Sequence, residues 1–149
     1  KDKKILILDD ISDPGNMGSL LRSAVWYDFD TIILSNNCVD IYNPKVVRSA
    51  MGAHFYISNF ITGDLVEIIH LLKDNKYQII GATLDGISYK KIKIENNYWA
   101  LILGNEAYGI SKELNRVIDL KISIPQRGPI ESLNVAIAGS ILLDRLIHE

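Results

Sequence analysis

Apolar residues in this chain come in short unbroken runs that alternate with segments of helical spacing. KILILDD (residues 4–10) reads as a buried strand, an apolar run closed by two carboxylates. TIILS (31–35), YQIIGAT (77–83), YWALIL (98–103) and LKISI (120–124) repeat that pattern, and FYI (55–57) is a further strand candidate. Between them, NMGSLLRSAVWYDF (16–29) has helical spacing, with Asn16 as its expected N-cap. PKVVRSAMG (44–52) carries Pro at its start and Gly at its end, the usual asymmetry of a short helix. DLVEIIHLLKDN (64–75) opens on Asp and lines up Leu65, Ile68, Ile69 and Leu72 on one face. SKEL (111–114) starts a short helix, and a closing helix is expected over 132–147, with Ser132 as its cap and Asn134 as the polar exception at its head.

Strands apolar on both faces and alternating with helices define an α/β fold, a mostly parallel sheet with helices on both faces. At 149 residues, 48% hydrophobic and 23% charged, one domain with an ordinary core is expected. No apolar run approaches the length that crosses a bilayer, so no membrane association is expected. A single Cys38 forms no internal disulfide, no Cys/His cluster has metal-ligand spacing, and the cytoplasm is the expected compartment. The net charge of −2 gives no global reason to expect a nucleic-acid partner, so local clusters must carry that case.

In parallel sheets ligands sit outside the carboxyl ends of the strands, which directs attention to three loops. DDISDPGNMGSLLRSA (9–24) leads through a Gly-containing turn into a helix start holding Asn16, Gly18 and Ser19, whose N–H groups suit an anion. Arg22, about one turn further, could reach the same anion; the bland alternative is a capped helix with a solvated Arg. The spacing is neither a dinucleotide fingerprint nor a P-loop. In LILGNEAYGIS (101–111), Gly104 permits close backbone approach and Glu106 can accept hydrogen bonds, or else the segment is an exposed turn. IPQRGPIESLN (124–134) is stiffened by Pro125 and Pro129 and offers backbone groups to a flat ligand such as an adenine. Here the bland alternative makes Ser132 only a cap and Asn134 a satisfied buried amide.

In this order the three loops resemble the motifs of the SpoU class of SPOUT methyltransferases. The resemblance is carried by Asn16, Gly18 and Arg22, then by Leu103, Gly104, Asn105, Glu106 and Gly109, and finally by Ile124, Pro125, Gly128, Glu131, Ser132, Leu133 and Asn134. NPKVVRSAMGAHF (43–55) also looks like this family, and the match spans nearly the whole chain. Ala107 stands where Gly is commoner. Family members often carry an N-terminal RNA-binding domain, and with Lys as residue 1 this chain is expected to be a catalytic domain from a longer protein.

The resemblance implies a C-terminal trefoil knot, S-adenosylmethionine as cofactor, a homodimer with the final helix at its interface, and methylation of a ribose 2′-hydroxyl in RNA, rRNA in preference to tRNA. It places Thr83, Leu84, Leu103, Gly104, Asn105, Gly109, Ile124, Gln126, Leu133 and Asn134 around the cofactor. Arg22 would bind the phosphate beside the target and stabilise the developing alkoxide. A role as base would demand a strongly perturbed pKa. Asn16, Glu106, Ser132 and Asn134 would orient the reacting groups, with Lys45, Arg48, His54, Lys112 and Arg127 as RNA contacts. The rival readings are a non-catalytic RNA-binding or ribosome-assembly module of the same fold, and a nucleotide-dependent enzyme of small-molecule metabolism.

Overall fold

The computed structural model describes residues 3–94 and 96–148. Among these residues six strands run in parallel: β1 (Lys4–Leu8), β2 (Thr31–Ser35), β3 (Asn59–Gly63), β4 (Gln78–Ser88), β5 (Trp99–Leu103) and β6 (Leu120–Ser123). Their order across the sheet is β3-β2-β1-β5-β4-β6. Among the described residues the α-helices are α1 (Pro14–Trp26), α2 (Pro44–Ala50), α3 (Leu65–Asp74), α4 (Lys112–Asn115) and α5 (Val135–Ile147).

Strand periodicity splits the apolar runs into two cores. Leu6, Leu8, Ile32, Leu34, Leu101 and Leu103 face one side, where α1, α2 and α5 bring Leu20, Leu21, Val46, Ala50, Leu142 and Leu143. Ile5, Ile7, Ile33, Ile79, Ala100 and Ile102 face the other, covered by Leu65 and Ile69 of α3 and Leu114 of α4. Each such side chain removed from water contributes roughly 1.5–3 kcal/mol, in keeping with the unbroken apolar runs Ile5–Leu8 and Trp99–Leu103 of the central strands. The α/β class read from the sequence is thus the observed one, with helices on both faces.

Several boundaries differ from the sequence reading. Helix α1 begins at Pro14, because the Asp13 carboxylate accepts the Asn16 N–H at 2.7 Å and caps the turn, and it ends at Trp26 rather than Phe29. Asn16 is therefore not the cap. The segment 55–57 is no strand: Ala53–Phe55 forms a 3-10 turn, and the third strand starts at Asn59, in register with Thr31. Buried Ala53 and Ile57 fix that turn, leaving Phe55 and Tyr56 outside. Strand β4 continues past Thr83 to Ser88, with an irregularity against β6 between Ala82 and Ile87. There a Cβ on Gly86 would fall 2.6 Å from the Ile122 backbone, so the chains cross at a separation only glycine allows. Helix α5 begins at Val135 and is capped by Asn134, whose Oδ1 accepts the N–H groups of Ala136 (2.9 Å) and Ile137 (3.3 Å). Ser132 is not a cap, and Asn134 is an exposed cap rather than a buried amide.

Candidate functional site at the carboxyl ends of β1 and β5

The two central strands end side by side, and their loops are tied together. Asp9 N–H donates to the Leu103 carbonyl at 2.9 Å, and Asn105 Nδ2 donates to the Asp10 carbonyl at 2.9 Å. The Asp9 carboxylate, buried at 7% exposure, accepts the Ser111 N–H at 2.8 Å and anchors the start of α4. Asp10 holds a left-handed backbone (φ 56°), and its N–H reaches Ser35 Oγ at 2.9 Å. These contacts carry no outward-facing chemistry. They fix the positions of the loops that do.

Three side chains from the three loops converge there. Asn16 Nδ2 donates to Glu106 Oε1. Asn134 Nδ2 donates to Asn16 Oδ1 at 2.8 Å and to Glu106 Oε1 at 3.2 Å. Since Asn134 Oδ1 caps α5, that amide is fully engaged. The capacity left for a ligand includes the second Glu106 oxygen and one Asn16 N–H, an acceptor beside a donor. A water-sized recess of about 10 Å³ lies against them, lined by Asp10, Ile11, Ser12, Asp13 and Val135 among others.

The other expected residues lie apart from this cluster. Arg22 is exposed on α1 and, among the described residues, makes no hydrogen bond or ion pair. It sits roughly a turn and a half beyond Asn16, on a different side of the helix. The anion site expected at Gly18 and Ser19 is not formed. Both lie inside α1, its N-terminus is occupied by Asp13, and Gly18 packs so tightly on α2 that a Cβ would meet Ser49 Oγ at 1.9 Å. Ser132 is exposed and outside the hydrogen-bonded cluster. Lys45, Arg48, Lys112 and Arg127 are exposed. His54 is half-buried, its Nε2 2.8 Å from the Ile41 carbonyl and its ring centroid 5.9 Å from both Tyr42 and Phe60.

The expected cofactor residues flank a surface on the β4–β5–β6 side. Leu103 is buried, while Leu84 and Leu133 are exposed at 79% and 40%. Gly104 abuts the Gly109 backbone, where its own Cβ would lie 2.3 Å from the Gly109 carbonyl carbon, and Gly109 needs φ 69° to close the loop on the Asn105 carbonyl. Gln126 turns its amide into its own loop, donating to the carbonyls of Gly128 (2.8 Å) and Ile130 (2.6 Å). The Thr83 hydroxyl lies close enough to Asp85 to draw that carboxyl below its ordinary pKa. The pair does not reach hydrogen-bonding geometry, and the buried Thr83 Oγ1 is left without a partner. An orphaned buried oxygen beside the irregularity of β4 fits a ligand that donates to it.

Asp9, Asp10 and Asp13 were not anticipated in these roles. The turn DISDPG signalled a helix start, yet only the fold shows which carboxylate closes it. No group of His, Cys, Asp or Glu among the described residues is placed to hold a metal ion, and no helix among them is long and apolar enough to cross a membrane.

Together these features define a parallel α/β domain with a candidate ligand crevice at the end of its central strands and polar groups supplied there by loops distant in sequence. More particularly, the chain belongs to the SpoU rRNA methylase family, which it matches over residues 3–144. The 23S rRNA (guanosine(2553)-2′-O)-methyltransferase RlmP of Bacillus subtilis (strain 168) is 36% identical over 145 residues, 97% of this chain and 58% of that protein. An AdoMet-bound rRNA methyltransferase from Sinorhizobium meliloti superposes with a TM-score of 0.92 at 30% identity, over 99% of this chain and 57% of that one. The SpoU methyltransferase AviRb from Streptomyces viridochromogenes, in complex with AdoMet, gives 0.89 at 25% identity over 99% and 58%. The chain thus spans under two thirds of the length of these relatives.

Proposed function

We propose that this chain is the catalytic domain of an S-adenosylmethionine-dependent RNA 2′-O-ribose methyltransferase acting on rRNA, working as a homodimer in the cytoplasm. The observation that carries the reading is the Asn16–Glu106–Asn134 cluster, which leaves both acceptor and donor capacity beside the crevice. That pair suits a ribose hydroxyl, which both donates and accepts. The similarity to the Bacillus subtilis enzyme favours rRNA over tRNA.

Thr83, Gly104, Ile124 and Leu133 would hold the cofactor, with the unpartnered Thr83 hydroxyl accepting from it. When bound, S-adenosylmethionine supplies an activated methyl group. The protein's task is then to position the ribose for in-line attack and to manage one proton. Glu106 accepts a hydrogen bond from the ribose, Asn16 donates one, and Asn134 locks both rotamers. Arg22 holds the neighbouring phosphate and stabilises the developing alkoxide. Within one chain it stands clear of the cluster, so a second copy docked on exposed parts of α1 and α5, Ile137 (54% exposed) among them, is the arrangement that could bring an Arg22 to it.

The test is calorimetry with S-adenosylmethionine followed by mapping of 2′-O-methyl sites in rRNA from a deletion strain. Binding together with the loss of one methylated ribose is expected. Absence of cofactor binding to the dimer would overturn the reading.

A further inference from the structure

The segment 41–63 contains no Asp or Glu, although acids outnumber bases in the chain by 18 to 16. It folds into α2, the 3-10 turn and β3, and its outer surface is unusually apolar and aromatic. Phe55 is 91% exposed, Met51 73%, Tyr56 72% and Tyr42 67%. Side chains of this size left in water at neighbouring positions mark an interaction surface rather than chance exposure.

The backbone holds the rings outward. Met51 and Gly52 take successive left-handed conformations (φ 49° and 86°), and Phe55 and Tyr56 N–H groups bond back to Gly52 (3.1 Å) and Ala53 (3.0 Å). Buried Ala53 and Ile57 pin the turn on either side. Tyr42 rests against His54, whose ring is held by the Ile41 carbonyl. A platform ordered before its partner arrives loses little entropy on binding. In the same segment Lys45 and Arg48 are exposed, and among the described residues neither side chain has a hydrogen bond or ion pair.

Outward rings combined with unpaired cations and no carboxylates complement a polyanion that offers flat apolar faces. We infer that this surface binds unpaired nucleotides of the RNA substrate, Phe55 and Tyr56 stacking on splayed bases while Lys45 and Arg48 meet the phosphates between them. An A-form duplex keeps its bases stacked and would use the cations alone, so the occupant is single-stranded. The platform is joined to the site: Ser49 Oγ of α2 donates to the Pro14 carbonyl at 3.0 Å, at the start of the helix that carries Asn16. Bases held there flank the ribose at the Asn16–Glu106–Asn134 cluster. The inference rests on the RNA-directed reading above and adds to it the state of the RNA and the residues that select it.

The experiment measures binding of a labelled single-stranded RNA of mixed sequence, and of the same strand annealed to its complement, by fluorescence anisotropy. The wild-type chain prefers the single strand. Phe55→Ala/Tyr56→Ala weakens single-strand binding by roughly ten- to a hundredfold and leaves duplex binding and the salt dependence unchanged, whereas Phe55→Tyr retains affinity. Lys45→Ala/Arg48→Ala weakens both RNAs and flattens the salt dependence. Unchanged single-strand affinity in the double aromatic variant overturns the inference. So does a shift of that variant from dimer to monomer by sedimentation with matching loss of binding, which would assign the rings to contact between copies. If the chain fails to bind S-adenosylmethionine while the ring-dependent RNA preference holds, the methyl-transfer reading falls and the platform stands.

Discussion

Asn134 and Asn16, 118 positions apart in the chain, meet side chain to side chain at 2.8 Å, and the same Asn134 amide touches Glu106 at 3.2 Å. One residue thus caps the last helix and joins the other two loops. Asn134→Ala removes both functions. The lost cap costs about 1 kcal/mol, visible as a lowered urea midpoint, and methyl transfer is expected to fall with it. Asn134→Asp preserves the cap acceptor but sets a second carboxylate beside Glu106, so activity falls while the midpoint at neutral pH falls less.

Glu106→Gln keeps the shape and removes the charged acceptor. A fall of roughly 10²-fold in kcat is expected, the scale of a lost proton-handling or orienting group, with S-adenosylmethionine affinity nearly unchanged by calorimetry. Loss of cofactor affinity in proportion to activity would move Glu106 from the ribose side of the site to the cofactor side.

Arg22 has no partner among the described residues, so Arg22→Ala should leave stability within about 0.5 kcal/mol of wild type. Methylation is expected to vanish. Arg22→Lys should restore little, because a point charge does not replace a bidentate fork. A large loss of folding stability in either variant would refute an exposed, functional role.

Gly18 and Gly139 offer a contrast in backbone and side-chain crowding. A Cβ at Gly18 would lie 2.7 Å from the Ala50 backbone nitrogen as well as against Ser49, whereas at Gly139 it would meet the movable ends of Leu20 (2.6 Å) and Leu103 (2.7 Å). Gly18→Ala is therefore expected to destabilise by about 1–3 kcal/mol or more, and Gly139→Ala by less. Chemical denaturation of the two variants side by side checks the order.

Burial raises the pKa of the Cys38 thiol, only partly offset by its contacts with Ser35 and nearby backbone groups. Its Sγ also donates to the Leu8 carbonyl at 3.3 Å. The folded state therefore favours the neutral thiol. The associated stability is complete below the unfolded value of about 8.5 and is lost as pH rises through the folded value. Iodoacetamide at mildly alkaline pH should alkylate native Cys38 more slowly than the unfolded chain, and Cys38→Ser should flatten the alkaline part of the stability profile.

Much of this architecture was legible in the residues. The run TIILS becomes β2 with the expected bounds, and Asp64 caps α3 as the pattern of that segment indicates. The errors occur where a tertiary partner outvotes local pattern. Asn16 looks like a cap until Asp13 takes the position. FYI has strand composition, yet Ala53 and Ile57 turn toward the core and deny Phe55 and Tyr56 a neighbouring strand. Asn16, Glu106 and Asn134 were gathered by the order of three motifs, since no periodicity links positions so far apart. Their mutual hydrogen bonds, and the separation of Arg22 and Ser132 from them, required the fold.

The cap of α5 gives the site an indicator that needs no substrate. The amide protons of Ala136 and Ile137 are held by the oxygen of the side chain whose nitrogen binds Asn16 and Glu106. Whenever the first turn of α5 frays, those protons exchange with solvent and the loop before α5 loses its tie to the other two. Hydrogen exchange at these two amides therefore reports how often the resting molecule is preassembled.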